Sequence, residues 1–286
     1  MGVNSTVGEG GSPLAAVNSL HLVDDKHLPS HEAIRLLAAV TGRSGAELRA
    51  GVLVEPRSVD LFHHLADRRA SGTPLQYLEG VVSFGPIELL VDNRALIPRP
   101  ETEQLWETAI GQIPLDSPFT LVDLGTGSGC LALAIAHERP RTRVVACDIS
   151  PDALELARLN AFLLDLPVEF FQGDRLSALP TALLGKIDLI VTNPPYISES
   201  EWPGLPAEVR DHEPRTALVA GDGLREFRYL ASHAPSWLVS GGGLAAEIGD
   251  GQGQAILRLF STSRWAAEIR RDLAGRERFL IALLQT

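Results

Sequence analysis

Cysteine is scarce in this chain, with Cys130 and Cys147 the two among 286 residues. Each lies in an apolar strand or helix context and no Cys-x-x-Cys spacing occurs, so metal and redox work by cysteine is excluded and a reducing compartment is expected. No stretch approaches the roughly 20 apolar residues that a helix needs to cross a bilayer. No basic segment followed by an apolar core opens the chain either, and a soluble, cytoplasmic protein is expected. Positive charge is in deficit, at a formal net −11. A protein that holds a polyanion usually carries a basic face, so this balance counts against nucleic acid as a direct partner. His63-His64 has no second ligand pair and reads as a solvated or partly packed helix face; no metal is expected. No Gly-Lys-Ser/Thr follows the chain's glycine loop, which removes a Walker phosphate site.

What is present is enough to build one large core and a smaller one, since 45% of residues are hydrophobic. Residues 1–12 are rich in Gly, Ser and Thr and read as a disordered tail. From 13 to 80 the pattern is helical: Ser30 and Ser44 are placed to cap helices, and Leu61, Phe62, Leu65 and Ala66 mark an apolar face on a helix ending near Gly72. Residues 81–95 hold two short apolar runs turning at Gly85-Pro86, a β-hairpin linker. From 96 to 286, apolar runs near 120–124, 143–147, 168–171, 187–192, 243–248, 265–269 and 277–284 alternate with helical segments. That alternation predicts an α/β fold, a Rossmann-like doubly wound and mainly parallel sheet. No internal repeat is visible.

The first of those strands opens into Gly125-Thr126-Gly127-Ser128-Gly129, and Cys130 to His137 continue with helical apolar spacing. Glycines at such a turn let a ligand approach the backbone and leave N–H groups at the helix start free to bind it. The dinucleotide fingerprint needs its third glycine one position later, where Cys130 stands, so a nicotinamide or flavin cofactor is disfavoured. The next strand ends in Asp148. An acid there is placed to accept from both hydroxyls of a ribose, although the same residue could cap the following helix in competition with Ser150.

The run Ile187 to Thr192 ends in Asn193-Pro194-Pro195-Tyr196. Two consecutive prolines have fixed φ and no backbone donors, so the chain leaves the sheet as a rigid turn with free carbonyl groups. Taken alone this is a strand-ending turn. It is also an acceptor pair: the Asn193 side-chain oxygen and the Pro194 carbonyl can together take both hydrogens of a planar NH2 group, with Tyr196 stacked on its plane. Such geometry recognises an amide or an exocyclic amine.

A Gly-x-Gly-x-Gly loop, an acid ending the second strand and Asn-Pro-Pro-Tyr ending the fourth together resemble the class I S-adenosylmethionine-dependent methyltransferases that modify planar nitrogen. Within them the chain is most similar to the release factor glutamine methyltransferases. The resemblance covers most of residues 30–286. It rests on Gly72-Thr73-Pro74-Leu75-Gln76-Tyr77, Leu96-Ile97-Pro98-Arg99-Pro100-Glu101-Thr102-Glu103, Glu213-Pro214-Arg215, Glu247-Ile248-Gly249 with Gln252, and Gly275-Arg276-Glu277-Arg278. It implies S-adenosylmethionine as cofactor, held by Gly125 to Gly129, Asp148, Asn193 and, at the adenine, Asp174 and Arg175. At position 175 relatives carry an apolar or aromatic residue, and here a guanidinium plane would take over its stacking. It further implies catalysis by Asn193, Pro194 and Tyr196, a substrate held by these with Pro195 and Arg99, and class 1 peptide-chain release factors as protein substrates; Arg99 reads equally as a contact to the cofactor carboxylate or a substrate backbone and as an ordinary surface or intramolecular salt bridge. Residues 13–80 would then recognise the substrate and 96–286 form the methyltransferase domain, in a monomer. Another protein glutamine, as on a ribosomal protein, or an exocyclic amine of nucleic acid is the alternative acceptor.

Overall fold

The computed structural model describes residues 16–24 and 27–285; the tail expected over 1–12 lies outside them. The described residues divide into two units, one ending at Glu79 and the other running from Gly80.

The first unit contains helices over Ser19–Val23, Ser30–Thr41, Gly45–Ala50, Pro56–Ala70 and Leu75–Glu79, with one short pair of strands, β1 (Val17–Asn18) and β2 (Leu53–Val54). Ser44 caps its helix as expected, in a reciprocal capping box with Glu47. Ser30 does not: it is the first helical residue, Pro29 precedes it, and its side chain makes no capping bond. Pro29 takes the boundary position because its own fixed φ suits the extended cap residue and its missing donor is not needed there. On the longest helix Phe62, Leu65 and Ala66 are buried, whereas Leu61 is 47% exposed. Successive helical residues rotate by about 100°, which leaves Leu61 at the rim of the stripe centred on the other three. Arg69 clamps Glu32 through two bonds of 2.8 Å, tying this helix to the one over Ser30–Thr41.

The second unit begins with a hairpin, β3 (Val81–Phe84) and β4 (Ile87–Leu90), turning at Gly85-Pro86. Phe84, Ile87 and Leu89 are buried in the same cluster as Leu105, Leu121 and Leu131, so the hairpin is part of this unit's core. The remaining strands are β5 (Phe119–Leu124), β6 (Thr142–Asp148), β7 (Val168–Gln172), β8 (Ile187–Thr192), β9 (Leu238–Glu247), β10 (Trp265–Arg271) and β11 (Glu277–Leu284). They form one sheet in the order β10-β11-β9-β8-β5-β6-β7. The five strands from β9 to β7 are parallel, and β11 runs antiparallel between β9 and β10.

Alternation along the strands feeds two cores. Leu121 points to the face covered by the helices Pro100–Ile110 and Cys130–Glu138, while Val122 and Leu124 point to the face covered by Arg225–His233 and Gly253–Leu259. The helix Cys130–Glu138 is buried from Leu131 through Ala136, which is why it is apolar all round rather than striped. After β5 the chain pairs β6 on one side and, later, β8 on the other. The order of strands reverses there, and the crevice outside the strand ends at such a reversal is where α/β sheets hold ligands.

Candidate active site

The three glycines after β5 have positive φ, at 72° for Gly125, 57° for Gly127 and 90° for Gly129, a region that L side chains disfavour. They serve different ends. A Cβ on Gly125 would meet nothing within 4 Å, so open space lies over that residue. A Cβ on Gly129 would stand 2.9 Å from Leu133 Cδ1 and 3.3 Å from Ala157 Cβ, so this glycine lets two helices pack closely against the loop. Four of the loop's backbone donors have partners in the protein. Gly125 and Thr126 donate to the Cys147 carbonyl, Gly129 donates to Thr126, and Gly127 donates to Asp148 Oδ2 at 2.9 Å. These four N–H groups are therefore consumed within the fold.

Asp148, at the end of β6, accepts from Gly127 on one oxygen and from Ser150 N on the other, at 2.9 Å. Ser150 caps the helix Pro151–Leu163 by accepting from Ala153 N, which frees Asp148 from that duty. Each of its oxygens keeps a lone pair. Burial raises its pKa.

A second carboxylate was not singled out by the motif reading. Asp123 on β5 is buried, and its Oδ2 accepts from Thr126 Oγ1 at 2.7 Å and from Ala132 N at 3.2 Å. Its Oδ1 is buried without a protein partner, as is Ser128 Oγ, and both residues line the same cavity as Gly125 and Asp148. Burial pushes Asp123 up to about 7. Buried polar atoms are normally paired, so these two mark a place for a ligand that brings polar groups of its own. Beside them the Cys147 thiol is pushed up to about 12 by burial and stays an inert thiol.

At the far wall, Arg175 has φ 53°. Its guanidinium donates to both Glu226 oxygens, at 2.5 and 2.9 Å, and to Asp174 at 3.1 Å, and lies 4.7 Å from the centre of the Tyr229 ring. Asp174 and Arg175 both line the cavity.

Asn193, Pro194 and Pro195 line it from the end of β8. Asn193 Nδ2 donates to Thr102 Oγ1 at 3.0 Å, Thr102 donates to Glu247 Oε2 at 2.7 Å, and the Tyr196 hydroxyl donates to Glu247 Oε1 at 3.2 Å. Burial raises Glu247, with the Thr102 and Tyr196 donors pulling the other way. Behind the turn, Gln252 Nε2 donates to the Tyr196 carbonyl at 2.8 Å.

Tyr196 and Arg99 are held by partners within the protein. Tyr196 is not part of the cavity lining, and its hydroxyl is held by Glu247, because a phenol that becomes buried needs a partner more than an open ring face does. Arg99 is not part of it either: its guanidinium pairs with Glu213, whose other oxygen accepts from Ile97 N at 3.2 Å. A carboxylate whose side chain is 1% exposed needs that cation. Thr102, Glu213, Glu247 and Gln252 all fall in proline-flanked or strand-end segments quoted above, yet nothing local assigned them a task.

Residues 111–203 match the methyltransferase small domain family. Over 257 residues the chain is 40% identical to the release factor glutamine methyltransferase of Deinococcus radiodurans, an alignment covering 89% of this chain and 91% of that protein. The protein of the same description from Moorella thermoacetica is 44% identical over 79% of this chain and 81% of its own length. Among solved structures, a methyltransferase from Pyrococcus furiosus superposes with a TM-score of 0.51, at 17% identity, over 69% of this chain and 88% of that one; the likeness is one of fold.

Proposed function

Because this chain belongs to the release factor glutamine methyltransferase family, we propose that it transfers a methyl group from S-adenosylmethionine to the side-chain nitrogen of the glutamine in the Gly-Gly-Gln tripeptide of class 1 peptide-chain release factors. One observation carries the chemistry. With its Nδ2 committed to Thr102, Asn193 presents its oxygen as the group left to meet a ligand at the end of β8.

The residues fit the cofactor. Asp148, with a lone pair left on each oxygen, would take the two ribose hydroxyls. The open space over Gly125 and the wall from Thr126 to Gly129 would accommodate the body of the ligand, and the unpartnered Asp123 Oδ1 and Ser128 Oγ suit an ammonium and a carboxylate respectively. Asp174 and the fixed guanidinium plane of Arg175 would border the adenine. When bound, the cofactor supplies a methyl on a sulfonium, already electrophilic, with a neutral thioether as leaving group.

An amide nitrogen is a poor nucleophile because its lone pair is delocalised into the carbonyl, so positioning must supply most of the effect. Asn193 Oδ1 and the Pro194 carbonyl accept the two amide hydrogens and hold the nitrogen toward the cavity. Both acceptors gain as the nitrogen becomes tetrahedral and its hydrogens more positive. Held there, the nitrogen would take the methyl as the neutral thioether leaves with the carbon–sulfur electron pair, and would give its extra proton to water. No side chain is needed as general base.

The net charge of −11 supports a protein acceptor over nucleic acid. Among the described residues no helix is long and apolar enough to cross a membrane; a cytoplasmic monomer is part of the proposal. The test is transfer of label from methyl-tritiated S-adenosylmethionine to a purified class 1 release factor. Label should enter the intact factor and be lost when its tripeptide glutamine is replaced; labelling unaffected by that replacement contradicts the assignment.

A further inference from the structure

Glutamine amide hydrogens require acceptors, yet Asn193 is an amide itself and carries two donors on one arm and an acceptor on the other. Turned the wrong way, it would set its own NH2 against the NH2 of the substrate. The side chain has no intrinsic preference between the two orientations, since they occupy almost the same space. Something must impose one.

Donor counting shows what does. Glu247 lies at the end of β9, 1% exposed, and takes one donor on each oxygen, Thr102 on Oε2 and Tyr196 on Oε1. With a hydroxyl donor arriving at each of its oxygens, Glu247 accepts on both, so the single proton of the Thr102 hydroxyl is drawn to it. The hydroxyl oxygen is then an acceptor on its other side, and only the Nδ2 edge of Asn193 can satisfy it, at 3.0 Å. We infer that Glu247 and Thr102 are positioning residues that polarise this chain of hydrogen bonds in one direction and thereby lock Asn193 with its oxygen toward the acceptor amide. This rests on the function proposed above and deepens it. The relay joins three separate pieces of chain: Thr102 in the first turns of the helix Pro100–Ile110, Glu247 on β9 and Asn193 after β8.

The relay predicts an asymmetry that packing alone does not. Glu247→Gln keeps the shape, but its NH2 can donate to Thr102, whose proton then turns to Asn193 Oδ1 and reverses the amide. Thr102→Val keeps the volume and removes the relay, whereas Thr102→Ser keeps it.

The experiment measures methyl transfer to a purified release factor, together with cofactor binding by calorimetry, for the full chain and for Thr102→Val, Thr102→Ser, Glu247→Gln, Asn193→Ala and the double variant Thr102→Val/Asn193→Ala. Thr102→Val and Glu247→Gln should lose about tenfold to a hundredfold in kcat, with KM for the release factor and cofactor affinity changed by less than about threefold. Thr102→Ser should stay close to the parent, and Thr102→Val should add nothing in the Asn193→Ala background. Parent-like kcat in folded Thr102→Val or Glu247→Gln, beside an impaired Asn193→Ala, overturns the relay and leaves the proposed function standing. An additive loss in the double variant overturns it as well. A fully active Asn193→Ala would instead strike at the proposed reaction. Should Thr102→Val fail to fold, Glu247→Gln, which keeps shape and both packing neighbours, decides the matter.

Discussion

Two aspartates at adjacent strand ends illustrate how much single residues differ in what they offer a ligand. Asp148 takes one donor from the glycine loop, Gly127 N, and one from Ser150 N just beyond its own strand, and still has lone pairs to give. Replacing it with Ala removes two charge-assisted bonds to the ribose, about 1.5–3 kcal/mol each. Calorimetry should therefore show S-adenosylmethionine binding weakened by roughly a hundredfold or more; an unchanged affinity would remove Asp148 from the cofactor site.

Asp123 is the opposite case, buried with one oxygen unpaired and its pKa raised by burial from 3.8 to about 7. Between those values the folded protein holds a proton that the unfolded chain has released. The contribution of this group to stability is thus complete below the lower value and is lost as pH rises through the upper one. In cofactor-free protein the melting temperature should fall from about pH 5 to about pH 8 more steeply in the parent than in Asp123→Asn. Parallel pH profiles for the two would show that Asp123 titrates normally.

At the scale of elements, the loop after β5 combines two functions that mutation can separate. Gly129→Ala meets both a φ of 90° and a contact of 2.9 Å with Leu133, strain and overpacking that together cost about 2–4 kcal/mol. Gly125→Ala meets open space, so its methyl intrudes on the cavity instead. The first variant should melt several degrees lower, and the second should lose cofactor affinity out of proportion to its smaller loss of stability. Equal effects of both on both properties would deny the division.

Elements were also what the sequence made most legible. The run expected over 187–192 is β8, Ile187–Thr192, and the glycine loop opens the helix Cys130–Glu138, because strand alternation, helical spacing and turn residues are local signals. Where a local signal misleads, the boundary moves: β9 begins at Leu238 and not near 243, since Gly241-Gly242-Gly243 reads as a break while a register shift opposite Ile187 and Leu189 absorbs the extra residues. The site's supporting bonds were not legible. Asn193 and Thr102 lie 91 residues apart and Thr102 and Glu247 lie 145 apart, and no periodicity relates such positions. Sequence leaves Arg99 open between a ligand and an intramolecular salt bridge, and the buried Glu213 makes the salt bridge; Tyr196 reads locally as a stacking ring, and the buried Glu247 takes its hydroxyl in space.

Over the whole molecule, each unit closes a core of its own. Leu36, Leu37, Leu48 and Phe62 are buried in the first, and the sheet with its flanking helices makes the second. Every residue argued to meet cofactor or acceptor belongs to the second unit. A Gly-Gly-Gln tripeptide is too small to specify a partner, so the first unit is proposed to recognise the folded release factor. Deleting residues 1–79 should leave cofactor binding measurable while lowering kcat/KM for a whole release factor far more than for a short Gly-Gly-Gln peptide. If a folded truncation kept the same ratio of the two, recognition would have to lie elsewhere.

The central claim is that Asn193 presents a glutamine amide for methylation, and tandem mass spectrometry of a release factor after incubation with S-adenosylmethionine tests it most directly. The parent protein should add the mass of one methyl group to the fragment ion containing the tripeptide glutamine, on its side chain, and folded Asn193→Ala should do so about 10²–10³ times more slowly. A release factor whose glutamine stays unmodified by the parent, or is methylated as fast by Asn193→Ala, would contradict the account.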